Sequence, residues 1–279
     1  MNNKKFSYER FIINGTIIES IDISPDNLKT EIPVLVAPGF AATIESFEPL
    51  IKLLIESGYR VLSLNHPRRG GIIPALKNKT VKKYPKEELR KAQTILGLLE
   101  QKNIKKINVI GHSEASINVS IAAILRPEIF NNFIFFAPAG LIGRDTLLRL
   151  VRGVMKHQSH PDSLKNIPIT TAETKYLEAT AYIGPKYWRD NWLRAFKEVL
   201  AISHARIENL LKYLHSKEIK IFVIAAVDDT FFPLTKMEKN IKANSVDLID
   251  NFLVVPGGHA QIQIHPELYL SAIENRLRA

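Results

Sequence analysis

The chain has 279 residues, 46% of them hydrophobic and 24% charged, a balance that buries a large core and excludes wholesale disorder and collagen-like repeats. It contains no cysteine, which excludes disulfides, thiolate zinc sites, iron–sulfur clusters and a cysteine nucleophile. The formal charge of +10 would suit an acidic partner, but the Lys and Arg residues are spread through predicted helices with no zinc-finger, RRM or basic-zipper pattern. A solvated basic surface without specific nucleic-acid binding is therefore expected.

The first ten residues, MNNKKFSYER, do not lead into an apolar stretch with a small-residue cleavage site, so a secretory signal is not expected. The apolar runs all fall short of a membrane span, and the expected location is the cytoplasm. Residues 16–23 (TIIESIDI) carry strand-like alternation and are followed by turn chemistry at Ser24-Pro25-Asp26-Asn27, which predicts an early hairpin-forming strand pair. From Pro33 onward apolar runs alternate with helical segments: strands at 34–37, 59–64 and 107–110, helices at 46–57, 86–101 and 114–125. Further strands are predicted at 133–136, 221–227 and 252–255. This alternation predicts a mostly parallel sheet of about eight strands with helices on both faces. The pattern breaks once, between Gly140 and Lys220, where only helical segments occur (144–157, 171–181, 189–215), interrupted by Pro161, Pro168 and Pro185. A helical cap over residues 141–200, inserted after strand six of a single 1–279 domain, is the expected reading. Its aromatic residues Tyr176, Tyr182, Tyr187, Trp188 and Trp192 either line a pocket or pack the cap against the body.

The segment INVIGHSEASINVSIAAI, residues 107–124, runs from an apolar strand through Gly111-His112-Ser113-Glu114-Ala115 into a small-residue helix. A serine on so sharp a strand-to-helix turn adopts a strained backbone that lifts its hydroxyl above the carboxyl end of the sheet, where ligands bind in open α/β folds. Small residues are needed two before and two after it, because strand and helix backbones pass closely there. Gly111 and Ala115 meet that need. The same turn sets the backbone N–H of Glu114 at a helix amino terminus, where an oxyanion can bind. A serine hydroxyl is too weakly acidic to attack unaided and needs a base with an orienting carboxylate. The late strand is followed by Asp228 and Asp229, and the last strand by Pro256-Gly257-Gly258-His259. The order Ser113, Asp, His259 is the chain order of serine hydrolases built on this kind of sheet.

From about Glu19 onward the chain resembles the α/β-hydrolase superfamily, and several consequences follow from that resemblance. Ala37-Pro38-Gly39-Phe40 is similar to the oxyanion loop after the third strand, which implies the Phe40 N–H as a second oxyanion donor. Leu64-Asn65-His66-Pro67-Arg68-Arg69-Gly70-Gly71 is similar to the turn after strand four, with Asn65 where Asp is usual. The spacing of Ala226, Asp229 and Pro233 matches the family's acid position, so Asp229 is expected as the triad acid and Asp228 is its rival. The resemblance implies a serine hydrolase acting on small-molecule carboxylic esters, esterase- or lipase-like, with no metal or organic cofactor. Lactone opening, carbon–carbon hydrolysis and perhydrolysis use the same triad, and a non-catalytic ligand-binding protein could carry the same fold.

Other candidates have simpler readings. His112 is expected to pack beside the elbow formed by the strand-to-helix turn at Ser113, His66 to sit on a surface turn or touch substrate, and Glu114 to turn its carboxylate into the body as a hydrogen-bonded structural group. His157 and His160, three apart on a helix, could hold a metal but lack nearby acids.

Overall fold

The early strand pair closes around Asn14-Gly15, not around residues 24–27. In the computed structural model of the chain, β1 (Glu9–Ile13) and β2 (Thr16–Ile23) are antiparallel, and the two residues between them have φ of 50° and 75°. Positive φ at both central positions is what a tight hairpin with the right-handed strand twist requires, and Asn-Gly supplies it. The structure describes residues 6–67, 72–73, 78–143, 145–159, 171–244 and 246–278, with side chains omitted at 154–159, 171–185, 191 and 246.

The elements then alternate as the apolar runs predict. They are β3 (Val34–Ala37), α1 (Glu48–Glu56), β4 (Val61–Asn65), α2 (Lys79–Lys82), α3 (Lys86–Gln101), β5 (Ile107–His112), α4 (Ala115–Leu125) and β6 (Phe130–Phe136). After β6 come α5 (Leu147–Ser159), α6 (Thr171–His204), α7 (Glu208–His215), β7 (Lys220–Ala226), α8 (Leu234–Asn244), β8 (Asn251–Val255), α9 (Gln261–Ile264) and α10 (Leu270–Leu277). The sheet has eight strands in the order β1-β2-β4-β3-β5-β6-β7-β8, parallel from β4 to β8. The chain steps from β3 to β4 on one side, returns past β3 to β5, and moves outward thereafter. That reversal opens a crevice beyond the carboxyl ends of β3 and β5, the place where ligands bind in folds of this kind.

Both faces of the sheet are covered, and the strands divide their side chains between the faces with period two. Leu35, Val109, Phe133, Phe135, Ile221 and Val223 pack with α3, α4 and α7 on one side. Val34, Val36, Ile110, Ile134, Phe136, Phe222 and Ile224 pack with α1 and α10 on the other.

Helix α6 departs from its expected limits. It runs without interruption through position 185 and ends at His204, whereas one helix was expected from 189 to 215. A proline inside a helix costs about 3 kcal/mol, and burial of Ala195, Val199 and Ile202 along one face of α6 opposes that cost. The break at 205–207 comes where the Ile207 N–H donates to the Gly140 carbonyl at 3.3 Å, turning the chain into the core. Among the described residues no helix is long and apolar enough to cross a membrane.

Phe133 is fully buried in the β6 layer, stacked on Phe130 and tilted against Phe135. Phe133→Ala is expected to cost on the order of 3–5 kcal/mol in urea unfolding, with the m-value unchanged.

Candidate active site

The turn between β5 and α4 holds Ser113 at φ 56°, a left-handed conformation that a non-glycine residue adopts only when its surroundings impose it. Hydrogen bonds on both sides impose it here. The Ser113 N–H donates to Phe136 O at 3.0 Å, and Ser113 O accepts from the Ala139 N–H at 3.1 Å and from the Ser116 hydroxyl at 2.7 Å. A side chain at Gly111 would begin 3.2 Å from the Phe135 ring, which accounts for a glycine two before the serine. Ala115, two after it, is fully buried and its methyl is accommodated.

The loop after β3 lies directly against this turn. A Cβ on Gly39 would stand 2.7 Å from His112 O, 3.0 Å from Ser113 Cβ and 3.4 Å from Glu114 N, so only glycine permits the approach. The close packing sets the loop carrying Phe40 beside the amide of Glu114. Neither the Phe40 nor the Glu114 backbone N–H is spent on a hydrogen bond among the described residues. Asn65 accepts the Ile44 N–H at 2.9 Å and ties the end of β4 to the segment following this loop.

At the far side, Asp229 follows β7 and His259 follows β8. Asp229 Oδ2 meets His259 Nδ1 at 2.8 Å, while Oδ1 accepts the N–H groups of Phe231 (2.7 Å) and Phe232 (2.9 Å). Burial opposes the charge of Asp229, but His259 and these two amides outweigh it and hold the carboxyl below its usual range. Asp228 is exposed and Asp229 is 4% exposed, so the geometry distinguishes the two acids. The His259 ring stacks on Phe231 at 4.5 Å and lies 4.7 Å from the ring of His112, whose Nε2 contacts His259 O at 2.8 Å. Ser113 and His259 are 7% and 8% exposed. Among the described residues the Ser113 hydroxyl makes no hydrogen bond to the His259 ring; in enzymes, hydrogen bonds between a nucleophile and its base are often long until substrate is present.

The helices between β6 and β7 reach this site at two points. Arg149 on α5, paired with Asp145, donates to the carbonyls of Thr230 (3.3 Å) and Phe231 (2.5 Å) beside the acid loop. On α6, Tyr187 and Trp188 meet the Phe40 ring edge-on, with centroids 5.5 and 6.3 Å away. Trp192 points outward at 63% exposure, and the Tyr176 and Tyr182 side chains lie outside the described residues. So do the His157 side chain and all of His160; among the described residues no cluster of His or acidic side chains could hold a metal.

Lys91, on α3 and so among the helical Lys and Arg residues expected to form a solvated surface, is 3% exposed. Its Nζ donates to Glu114 Oε2 at 2.5 Å and lies 3.5 Å from Glu198 Oε1. Burial works against this ammonium, but the surrounding carboxylates hold its pKa above the ordinary value. Glu114 thus turns inward to a buried partner as expected. The pKa of Glu88 is pushed well up by burial, by the Glu114 charge and by a hydrogen bond shared with the Glu114 carboxylate. His66 is not on an open surface turn: both ring nitrogens are shielded and unpartnered, and burial with the charges of Lys91 and Arg194 keeps the ring neutral. The signal for this cluster was in the sequence, because Glu88 and Lys91 fall on the same helical stripe as Ala92, Ile95, Leu98 and Leu99.

Comparison with known proteins agrees with this architecture. A family model described as the alpha/beta hydrolase fold matches residues 32–160. No curated protein matches the sequence. Among solved structures, a bromoperoxidase from Bacillus anthracis superposes with a TM-score of 0.69 at 16% identity, covering 98% of this chain and 100% of the other. The 2-hydroxy-6-oxo-6-phenylhexa-2,4-dienoate hydrolase from Rhodococcus sp. strain RHA1 has a TM-score of 0.67 at 17% identity, with 99% of each chain covered. A thermophilic esterase from Thermogutta terrifontis has a TM-score of 0.61 at 18% identity, with 98% of each chain covered. Fold and family match set this chain among the proteins of the α/β-hydrolase fold, and identities this low carry the fold alone.

Glu88 binds a proton in the folded state that a carboxyl of the unfolded chain, with a pKa near 4.3, releases. Its raised pKa therefore lowers stability progressively as pH rises above about 4.3 toward the folded value. Glu88→Gln removes that penalty and keeps a donor for the hydrogen bond to the Glu114 carboxylate. The expected result is a Tm at pH 7.5 a few degrees above wild type, with the gain shrinking below pH 4.5 in a thermal-unfolding series.

Proposed function

We propose that the chain is a serine hydrolase that cleaves carboxylic esters of small molecules through an acyl-enzyme, with Ser113 as nucleophile, His259 as base and Asp229 as the orienting acid. The observation that carries this reading is the Asp229–His259 bond of 2.8 Å at the same sheet edge as a serine held at φ 56°. Both features are costly, and the triad gives them one shared use.

His259 takes the Ser113 hydroxyl proton as Oγ attacks the ester carbonyl carbon and the carbonyl electron pair moves onto oxygen. The amides of Phe40 and Glu114 stabilise that oxyanion, each contributing about 2.7–4 kcal/mol by analogy with known oxyanion holes. Asp229 keeps the imidazole in the tautomer with its proton on Nδ1. Collapse breaks the bond to the alcohol, which takes the proton from His259. Water, deprotonated by His259, attacks the acyl carbonyl, and a second collapse frees the acid and returns the proton to Ser113. Every step uses protein groups and water. Residues 141–200 act as a cap over the crevice within a single domain, a reading supported by the contacts of α5 with the acid loop and of α6 with Phe40.

The test is a panel of activated esters of rising acyl length, a lactone set and a fluorophosphonate probe. The expected outcome is ester turnover and probe labelling at Ser113, with Ser113→Ala lowering kcat by on the order of 10⁴–10⁶ while leaving the fold intact. Labelling without ester turnover would redirect the triad to lactones or carbon–carbon bonds. Retained turnover in Ser113→Ala would show that the nucleophile lies elsewhere.

A further inference from the structure

Lys91 and Glu198 belong to a buried array that reaches both amides assigned above to the oxyanion, and it does so from the outer helix α6. Glu198 accepts from the Tyr187 hydroxyl at 2.6 Å and from Arg194 Nε at 2.9 Å, and it lies 3.5 Å from Lys91 Nζ. Lys91 in turn holds Glu114 Oε2 at 2.5 Å. Glu114 is the residue whose backbone N–H opens α4 behind the nucleophile. Tyr187, fixed at its hydroxyl by Glu198, sets its ring edge-on to Phe40 at 5.5 Å and 88°. One carboxylate therefore reaches Glu114 through Lys91 and Phe40 through Tyr187.

Glu198 is fully buried, and taking an ion out of water is costly unless partners compensate. Burial opposes its charge, yet Lys91, Arg194 and the Tyr187 hydroxyl hold its pKa below the usual carboxylate range. Tyr187 is pushed up by burial and by the Glu198 charge, so it remains a donor at any pH of interest. A helix needing only to pack would do so more cheaply with apolar side chains.

We infer that Glu198 is a positioning residue, which sets the oxyanion donors Phe40 and Glu114 in register by anchoring α6 to the nucleophile turn. This rests on the ester-hydrolase reading, in which those two amides carry the negative charge of the tetrahedral state. Misplacing such donors by a fraction of an ångström weakens transition-state stabilisation and spares ground-state binding.

The test compares wild type, Tyr187→Phe, Glu198→Gln and the double variant on a short-chain p-nitrophenyl ester. It also measures inhibition by a trifluoromethyl ketone, whose carbonyl accepts Ser113 Oγ while the hydroxyl proton passes to His259, leaving a stable oxyanion adduct. Each single variant is expected to lower kcat by about tenfold with KM within twofold, and to raise the ketone Ki by the same factor as it lowers kcat/KM. The double variant is expected to be no worse than Glu198→Gln, because the Tyr187 hydroxyl acts only through that carboxylate. Tyr187→Phe keeps the ring and removes one oxygen, so it carries the test alone should Glu198→Gln not fold. Unchanged kcat and Ki, a rise in KM alone, or additive losses would overturn the inference while wild-type turnover still depends on Ser113. Wild type without Ser113-dependent turnover would overturn the underlying reading and this one with it.

Discussion

One backbone turn carries the greatest structural demand in this molecule. β5 and α4 are both buried along their length and are joined by Ser113 and Glu114 alone, so Ser113 must take the left-handed conformation. That conformation costs on the order of 1–3 kcal/mol. The hydrogen bonds to Phe136, Ala139 and Ser116 keep it from relaxing. Gly111 follows from the same geometry, and so does Gly39, whose missing side chain lets the β3 loop rest on the turn. The strand order adds the final element, because β3 and β5 are neighbours whose following helices leave on opposite faces of the sheet. An open space above their ends is therefore built into the topology.

Around that turn the packing changes character. Most of the core is aliphatic and aromatic, divided between the two sheet faces. Behind the elbow, however, Glu88, Glu114, Glu198 and Lys91 are all nearly or wholly withdrawn from water, with Arg194 at the edge. Buried ion pairs seldom stabilise a fold as much as apolar packing of the same volume, whereas leaving one member unpaired is expensive. The array therefore tolerates few alternative arrangements. Its members come from α3, α6 and the turn that opens α4, and it holds those elements to one relative placement. The acid loop is gripped in a comparable manner by Arg149 of α5, through main-chain carbonyls instead of buried charge.

Much of this was legible in the residues, and the misses have physical causes. The strands with continuous apolar runs were readable because strands covered on both faces need little polar alternation. The turn at Ser113 was readable because its steric demand admits few residue types. The Asn14-Gly15 hairpin was readable by the same turn chemistry, yet the turn was sought at 24–27, on the other side of β2. Pro185 suggested a break in α6, but local propensity was outweighed by the buried face farther along the helix. Lys91 was counted with the solvated cations even though it lies on the apolar stripe of α3. Charge type alone does not tell a surface lysine from a buried one; helical position does.

Local constraints thus determined the elements, their order, the parallel sheet and two of the residues proposed to bear the chemistry, Ser113 and His259, since period, turn sterics and chain order act over short stretches of backbone. Tertiary structure decided which of Asp228 and Asp229 faces the imidazole, that His66 is enclosed and that Glu198 reaches toward the elbow. Each of these depends on side chains from distant segments sharing one small, water-poor volume. Their electrostatics follow from distances that no one-dimensional pattern contains.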